Sequence, residues 1–122
     1  MKIAFASDDG QSVSQHFGHA KKYVVVSIEE GRISGSEVRE KPGHIHAANT
    51  THQEEQSAHE TMISVITDCE VAVAIHMGTT MYNDLRRHGI QPTLTNIQSI
   101  DDAVKAYVEG HLEDHPEQII RK

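Results

Sequence analysis

The run Val71-Ala72-Val73-Ala74-Ile75 contains no polar side chain, so as a strand it has no face to offer to water. Such a strand must be covered on both sides, which favours a sheet flanked by helices over a sheet with one wet face. The surrounding chain supplies the helices. Thr51-x-x-Glu54 is a capping box that opens one, with Ala58, Met62, Val65 and Ile66 recurring at helical spacing. Gly78-Thr79-Thr80 opens a second, with Met81, Tyr82 and Leu85 on its stripe and Gly89 placed to end it. Ser99-x-x-Asp102 caps a third, with Ile100, Val104, Tyr107 and Val108 on one face and Gly110 at its end.

Four further segments read as strands. Lys2 to Ser7 is apolar and closed by the turn signal Asp8-Asp9-Gly10, and the β-branched run Tyr23 to Ile28 is closed by Glu29-Glu30-Gly31. Arg32 to Glu40 follows after a short Gly-containing link with only Ile33 and Val38 apolar, so it is expected to be the exposed edge partner of a hairpin. Ile90 to Thr95 carries Pro92, which also places it at an edge. Pro42, Gly43 and Asn49 mark a loop from Lys41 to about Thr50, and the polar stretch from His111 to Lys122 is helical or frayed. The order β-β-β-α-β-α-β-α predicts an α/β domain with a mixed five-stranded sheet and three helices.

Charge narrows the function. With 18 acidic and 11 basic residues among 122, a net charge of -7 argues against a broad nucleic-acid surface or an anionic membrane as partner. No run of about 18 apolar residues is present to span a bilayer, and Met1 leads into Lys2-Ile3-Ala4-Phe5-Ala6 without a signal-peptide core, so the expectation is a soluble cytoplasmic protein. A single cysteine, Cys69, excludes an internal disulfide framework and a four-thiolate zinc site. The excess residue is histidine, at 10 positions, which points to metal handling or pH response.

The histidines fall into groups. His16 and His19 flank Phe17-Gly18, where the glycine lets the two rings converge or diverge. His44-x-His46 with His52, and His59 further along, form a loop cluster able to bind Zn(II), Ni(II) or Cu(II), or else simply a solvated polar loop. His76-Met77-Gly78 lies at the carboxyl end of the fourth strand and before a helix N-terminus, where Gly78, Thr79 and Thr80 would offer backbone N–H groups to an anion. Met77 reads more readily as core than as a thioether ligand. Cys69 lies at the other end of that strand, about 20 Å away, as a buried thiol or, if two subunits share a site, a cluster ligand. His111 and His115 are four apart and would share a face if the tail were helical. No nucleophile elbow, P-loop or His-Glu-x-x-His is present, so no catalytic set is expected.

Asp8-Asp9-Gly10 with Val13-Ser14-Gln15-His16-Phe17-Gly18, and Asp68-Cys69 leading through a strand to Met77-Gly78, resemble the dinitrogenase iron-molybdenum cofactor biosynthesis family, the NifX-like group. The likeness continues through Leu85-x-x-x-Gly89-Ile90-x-Pro92 and Ala103 to Gly110, which gives a family domain at 1–112 and a polar tail at 113–122. The resemblance implies a ribonuclease H-like fold and a carrier of an iron-sulfur or iron-molybdenum-type cluster, without catalysis by the domain itself. It places cofactor contacts at Asp8, Ser14, His16, Phe17, Gly18, Met77, Gly78 and Thr79 and favours His16 and the loop histidines His44, His46 and His52 as metal ligands, while His76, by its place at the strand end, and Cys69, if two subunits share a site, are further candidate ligands. It also implies that the first and fourth strands are parallel neighbours, with Ser7 and Asp8 ending beside His76. His76 is then a ligand or a hydrogen-bond partner of the Asp8 carboxylate. His76 stands where such proteins often have glycine, and His19 where they commonly have a basic residue. The implied partners are cofactor donor and acceptor proteins, with a second copy of the chain as a further candidate. The rival readings are a divalent-metal buffer built on His44, His46 and His52, and a nuclease using Asp8 and Asp9, which the acidic surface disfavours.

Overall fold

A computed structural model describes residues 1–42 and 52–120 of the chain, with side chains described outside 52–57. Strand β1 (Lys2–Ser7) is followed by β2 (Lys22–Glu29) and β3 (Arg32–Glu40), then helix α1 (His52–Ser64). Strand β4 (Val71–Ala74), the short β5 (Met77–Gly78), helix α2 (Thr79–Arg87), β6 (Gln91–Leu94), α3 (Ile100–Val108) and the short β7 (Ile119–Ile120) complete it. The main sheet has five strands in the order β3-β2-β1-β4-β6. β1 runs antiparallel to β2 and parallel to β4, β2 is antiparallel to β3, and β4 is parallel to β6. The expected mixed five-stranded sheet with three helices is therefore the observed architecture.

Local chemistry explains the elements. The β2–β3 hairpin turns on Glu30 and Gly31, at φ 52° and 75°, two successive left-handed residues of the kind a tight hairpin turn demands. Ser99 Oγ accepts from the Asp102 N–H and caps α3, and Gly89 and Gly110, at φ 77° and 79°, end α2 and α3 as C′ glycines. Thr51, the expected cap of α1, lies outside the described residues.

The apolar run of β4 is divided by the pleat. Ala72 and Ala74 face the layer of α1 and α2, packing with Ala4, Met62, Ile66, Met81 and Leu85. Val71 and Val73 face α3, packing with Ile3, Phe5, Ile100, Ala103 and Val104. Helix α3 stops short of the sheet's edge, so Ile33 and Val38 of β3 remain 58% and 61% exposed. Val108, expected on the α3 stripe, is instead exposed at 38%, and Ala103 takes the buried position because the helix contacts the sheet through its first two turns.

Two findings lie outside the sequence reading. Residues 111–120 contain no α-helix: a 3₁₀ turn forms at Pro116–Gln118, and β7 then pairs in parallel with β5. His59, grouped by sequence with the loop histidines, is buried at 4% exposure on α1, with its Nδ1–H donating to Asp84 Oδ2 on α2 at 3.1 Å. Asp84 is fully buried, and its Oδ1 meets the Arg87 guanidinium. Removing one member of a buried ion pair leaves the other desolvated and uncompensated, at a cost of about 3 to 5 kcal/mol. Asp84→Ala is accordingly expected to lower stability by about 3 kcal/mol in urea titration, and Arg87→Ala, which leaves the buried carboxylate with His59 as its remaining partner, by about 1 to 3 kcal/mol.

Candidate functional site

The site begins where β1 ends. Asp9 Oδ1 accepts from the N–H groups of Gln11 and Ser12 at 2.8 and 2.7 Å, folding residues 8–12 into a tight reversal. Those bonds, from Ser12 first and then Gln11, hold the Asp9 carboxyl at about 2. Ser7 Oγ donates to the Ser12 carbonyl and closes the loop from the other side.

The returning segment Ser14–Phe17 then occupies the place beside the end of β4. The Ile75 and His76 N–H groups donate to the Ser14 and Gln15 carbonyls, and the Phe17 N–H donates to the His76 carbonyl, each at 3.0 Å. This changes one expectation. Ser7 pairs with Lys22 of β2, and Asp8 Oδ1 accepts from the Lys21 N–H at 3.2 Å, so neither ends beside His76. The tight reversal carries them aside, and Ser14–Phe17 fills the slot. His76 Nδ1–H consequently donates to the Gln15 carbonyl at 3.2 Å, where a bond to the Asp8 carboxylate was one expectation.

The effect is to gather imidazoles. His16 and His76 form a parallel bridge, which sets the two residues side by side. His16 also stacks on His19, with ring centroids 4.6 Å apart and planes 17° from parallel, so the rings around Phe17-Gly18 converge. His16 and His76 are half-buried and His19 is exposed, which leaves the cluster open to solvent on one side.

A buried cation lies beneath it. Lys41 is 2% exposed. Its Nζ donates to the Gly18 carbonyl at 3.4 Å and sits 5.4 Å from the Phe17 ring centroid and 5.9 Å from that of Tyr23. Burial pulls its pKa down to about 8, against an upward pull from Asp8, so at neutral pH Lys41 is mainly charged. Sequence reasoning passed over it because lysine is almost always exposed.

Beyond His76 the chain enters β5 and α2. Met77 is buried in the core, whereas Gly78 is the N-cap of α2 and makes no side-chain cap, so the first-turn N–H groups remain for other partners. The C-terminal segment reaches this corner. Gln118 Nε2 donates to the Ile75 carbonyl at 2.7 Å and the Thr95 carbonyl at 3.2 Å, and Thr79 Oγ1 donates to the Ile120 carbonyl at 3.4 Å. Asp114 Oδ1 accepts from the Leu94 N–H at 2.9 Å and fastens the segment to β6.

The remaining candidates are separate from this cluster. Cys69 is buried at the opposite end of β4, with burial pushing its thiol up to about 11, so it is a protonated core residue. His111 and His115 do not share a helix, and His115 instead lies between Glu113 and Glu117. His44 and His46 fall outside the described residues, as does the side chain of His52. Among the described residues no three His, Cys, Asp or Glu side chains converge to cage a metal ion. Among those residues, too, no helix is long and apolar enough to cross a membrane.

A family model described as dinitrogenase iron-molybdenum cofactor matches residues 1–110. The chain belongs to that family. Among family relatives, it is 32% identical over 115 residues to an uncharacterized protein of Methanocaldococcus jannaschii, covering 93% of this chain and 90% of that one. It is 27% identical over 111 residues to NifX of Klebsiella pneumoniae, covering 88% of this chain and 67% of NifX. It is 28% identical over 112 residues to the FeMo cofactor biosynthesis protein NifB of Azotobacter vinelandii, but covers only 22% of that protein. The fold is shared with the apo orange protein of Desulfovibrio gigas, at a TM-score of 0.72 and 17% identity over 94% of this chain and 92% of that one. It is shared equally with the crystal structure of PH0822, at a TM-score of 0.72 and 23% identity over 97% and 99% of the two chains. The match to the iron-molybdenum cofactor family ends before the segment that bears Gln118 and β7.

In this family member, Lys41 yields a prediction with a definite sign. Its folded pKa of about 8 lies below the ordinary 10.5, so the unfolded chain binds the extra proton between those values and stability rises with pH across that window. Urea titrations at pH 8 and pH 10.5 are expected to show wild type gaining about 2 to 3 kcal/mol more than Lys41→Met over the interval.

Proposed function

We propose that this protein is a metallocofactor carrier that holds an iron-sulfur or molybdenum-containing cluster as cargo between a donor and an acceptor protein, and catalyses no reaction itself. The observation that carries the reading is the His16–His76 bridge with His19 stacked on it, at the carboxyl ends of the central strands and beside the N-terminus of α2. Open α/β sheets bind ligands at that end, outside the strands.

The chemistry suits cargo better than a resident ion. A carrier has to release what it binds, and an open set of imidazoles holds a cluster less tightly than a closed cage of four thiolates. The net charge of -7 opposes an anionic cluster, and the local field opposes that repulsion. Lys41 under the turn and the helix N-terminus at Gly78 and Thr79 both place positive potential at the histidines. His16, His19 and His76 would contact the cargo, with Phe17 and Gly18 fixing the turn and Thr79 presenting backbone N–H. Membership of the family and likeness to NifX and NifB support an assembly role. The ribonuclease H-like grouping belongs to the same proposal, supported by the sheet order β3-β2-β1-β4-β6.

The test is to mix apo protein anaerobically with a synthetic iron-sulfur cluster and run gel filtration. Iron and charge-transfer absorption are expected to co-elute with the protein, to fall at least about tenfold in His16→Ala/His76→Ala, and to persist in His44→Ala/His46→Ala/His52→Ala. No co-elution with wild type sinks the proposal. Loss confined to the triple variant moves binding to the loop histidines and a buffering role. Because neutral imidazole supplies the lone pair, protons compete with metal, and binding is expected to weaken steeply between about pH 7 and about pH 5 with more than one proton taken up per cluster released. Titration calorimetry in two buffers of different ionisation enthalpy counts those protons.

A further inference from the structure

β3 is the terminal strand of the sheet, and no described residue pairs with its outer edge. It also bears Ile33 and Val38, the two most exposed large apolar side chains among the described residues. Val38 pairs with Val24 and Ile33 with Ile28, so both lie on the face that α3 covers only in part. On the opposite face Glu37 and Arg39 flank Val38. Arg39 is held in place by Asp68 at 2.7 and 2.9 Å and by its contact with Glu37.

We propose that this edge is a self-association surface: a second copy of the chain adds its β3 antiparallel to the first about a two-fold axis through Val38. The sequence Glu37-Val38-Arg39 reversed is Arg-Val-Glu, so antiparallel self-pairing sets Glu37 against Arg39 of the second copy, twice by symmetry. Opposite charges directly across an antiparallel pair stabilise it, and the exposed Val38 meets its own counterpart on the other face. Ser36 and Glu40 then oppose each other, and no like charges face one another across the pair.

The register is selective. A slip of one residue one way brings Glu37 against Glu40, and the other way brings Val38 against Glu37. A two-fold axis at Ser36 would require pairing through Ser34, where the β2–β3 ladder shifts register opposite Ser27 and Ile28. The axis at Val38 uses only the regular half of the strand. Parallel in-register stacking would set every charge against itself, so the same pattern that admits one antiparallel partner opposes open-ended aggregation. The result is one continuous ten-stranded sheet, twice the five strands of the monomer. This inference is independent of what the histidine cluster binds.

Sedimentation equilibrium from about 10 µM to about 1 mM tests it. Wild type is expected to pass from monomer to dimer over that range. Val38→Lys changes an exposed side chain and is expected to weaken dimerisation at least about tenfold without altering the thermal melt. Glu37→Arg alone makes the facing positions 37 and 39 both positive and Arg39→Glu alone makes them both negative, so each is expected to be monomeric and an equimolar mixture to form a heterodimer. Because Arg39→Glu also loses the Asp68 contact, its melt is recorded first, and Val38→Lys decides the matter if it is unfolded. Wild type that stays monomeric at about 1 mM, or a dimer that Val38→Lys leaves unchanged, overturns the proposal.

Discussion

Strand β1 makes antiparallel bonds to β2 on one side and parallel bonds to β4 on the other, and every other element takes its place from that double pairing. The antiparallel side needs only tight turns, so the hairpin of β2 and β3 stays local in the chain. The parallel side needs a crossover, and α1 supplies it between β3 and β4. The pleat of the two central strands divides their apolar residues between two layers, with Ala4, Ala6, Ala72 and Ala74 toward α1 and α2 and Ile3, Phe5, Val71 and Val73 toward α3. The small side chains let two helices approach one face, while the larger ones fill the space beside a single helix.

The same pairing creates the histidine cluster. β1 ends level with the end of β4, but the Asp9-centred reversal brings Ser14–Phe17 back along the same edge. Backbone bonds then fix His16 against His76, although the two are 60 positions apart in the chain. Phe17, wholly buried, is the anchor: its ring enters the core and its N–H engages the His76 carbonyl, so the adjacent imidazoles are held at the surface. A site on a bonded backbone rather than a free loop keeps its geometry before any ligand arrives.

Two buried charged groups give the fold its polar character. Asp84 is held by His59 and Arg87 between α1 and α2, which specifies how the two helices meet at a cost in desolvation. Lys41 is enclosed by two aromatic rings and one carbonyl, and it sets a positive potential under a protein of net charge -7. Both groups are placed by packing around them, and each would be far more stable in water alone.

Much of this architecture was legible in the residues themselves. The apolar run Val71–Ile75 demanded cover on both faces, Pro92 and the polar pattern of Arg32–Glu40 marked the two edges, and Ser99, Gly89 and Gly110 bounded helices that form as their chemistry requires. Such signals are local: they act within a few residues, through alternation, capping and positive φ. The sequence also drew attention to His16, His19 and His76, and to Met77 as core. Only the tertiary structure decided that His16, and not Asp8, lies against His76, that His59 is a core residue paired with Asp84, and that Gln118 fastens the final segment to the ends of β4 and β6. Those outcomes depend on contacts between residues distant in the chain, where one tight turn or one carbonyl in need of a donor selects the neighbour, and no spacing within a short window carries that information.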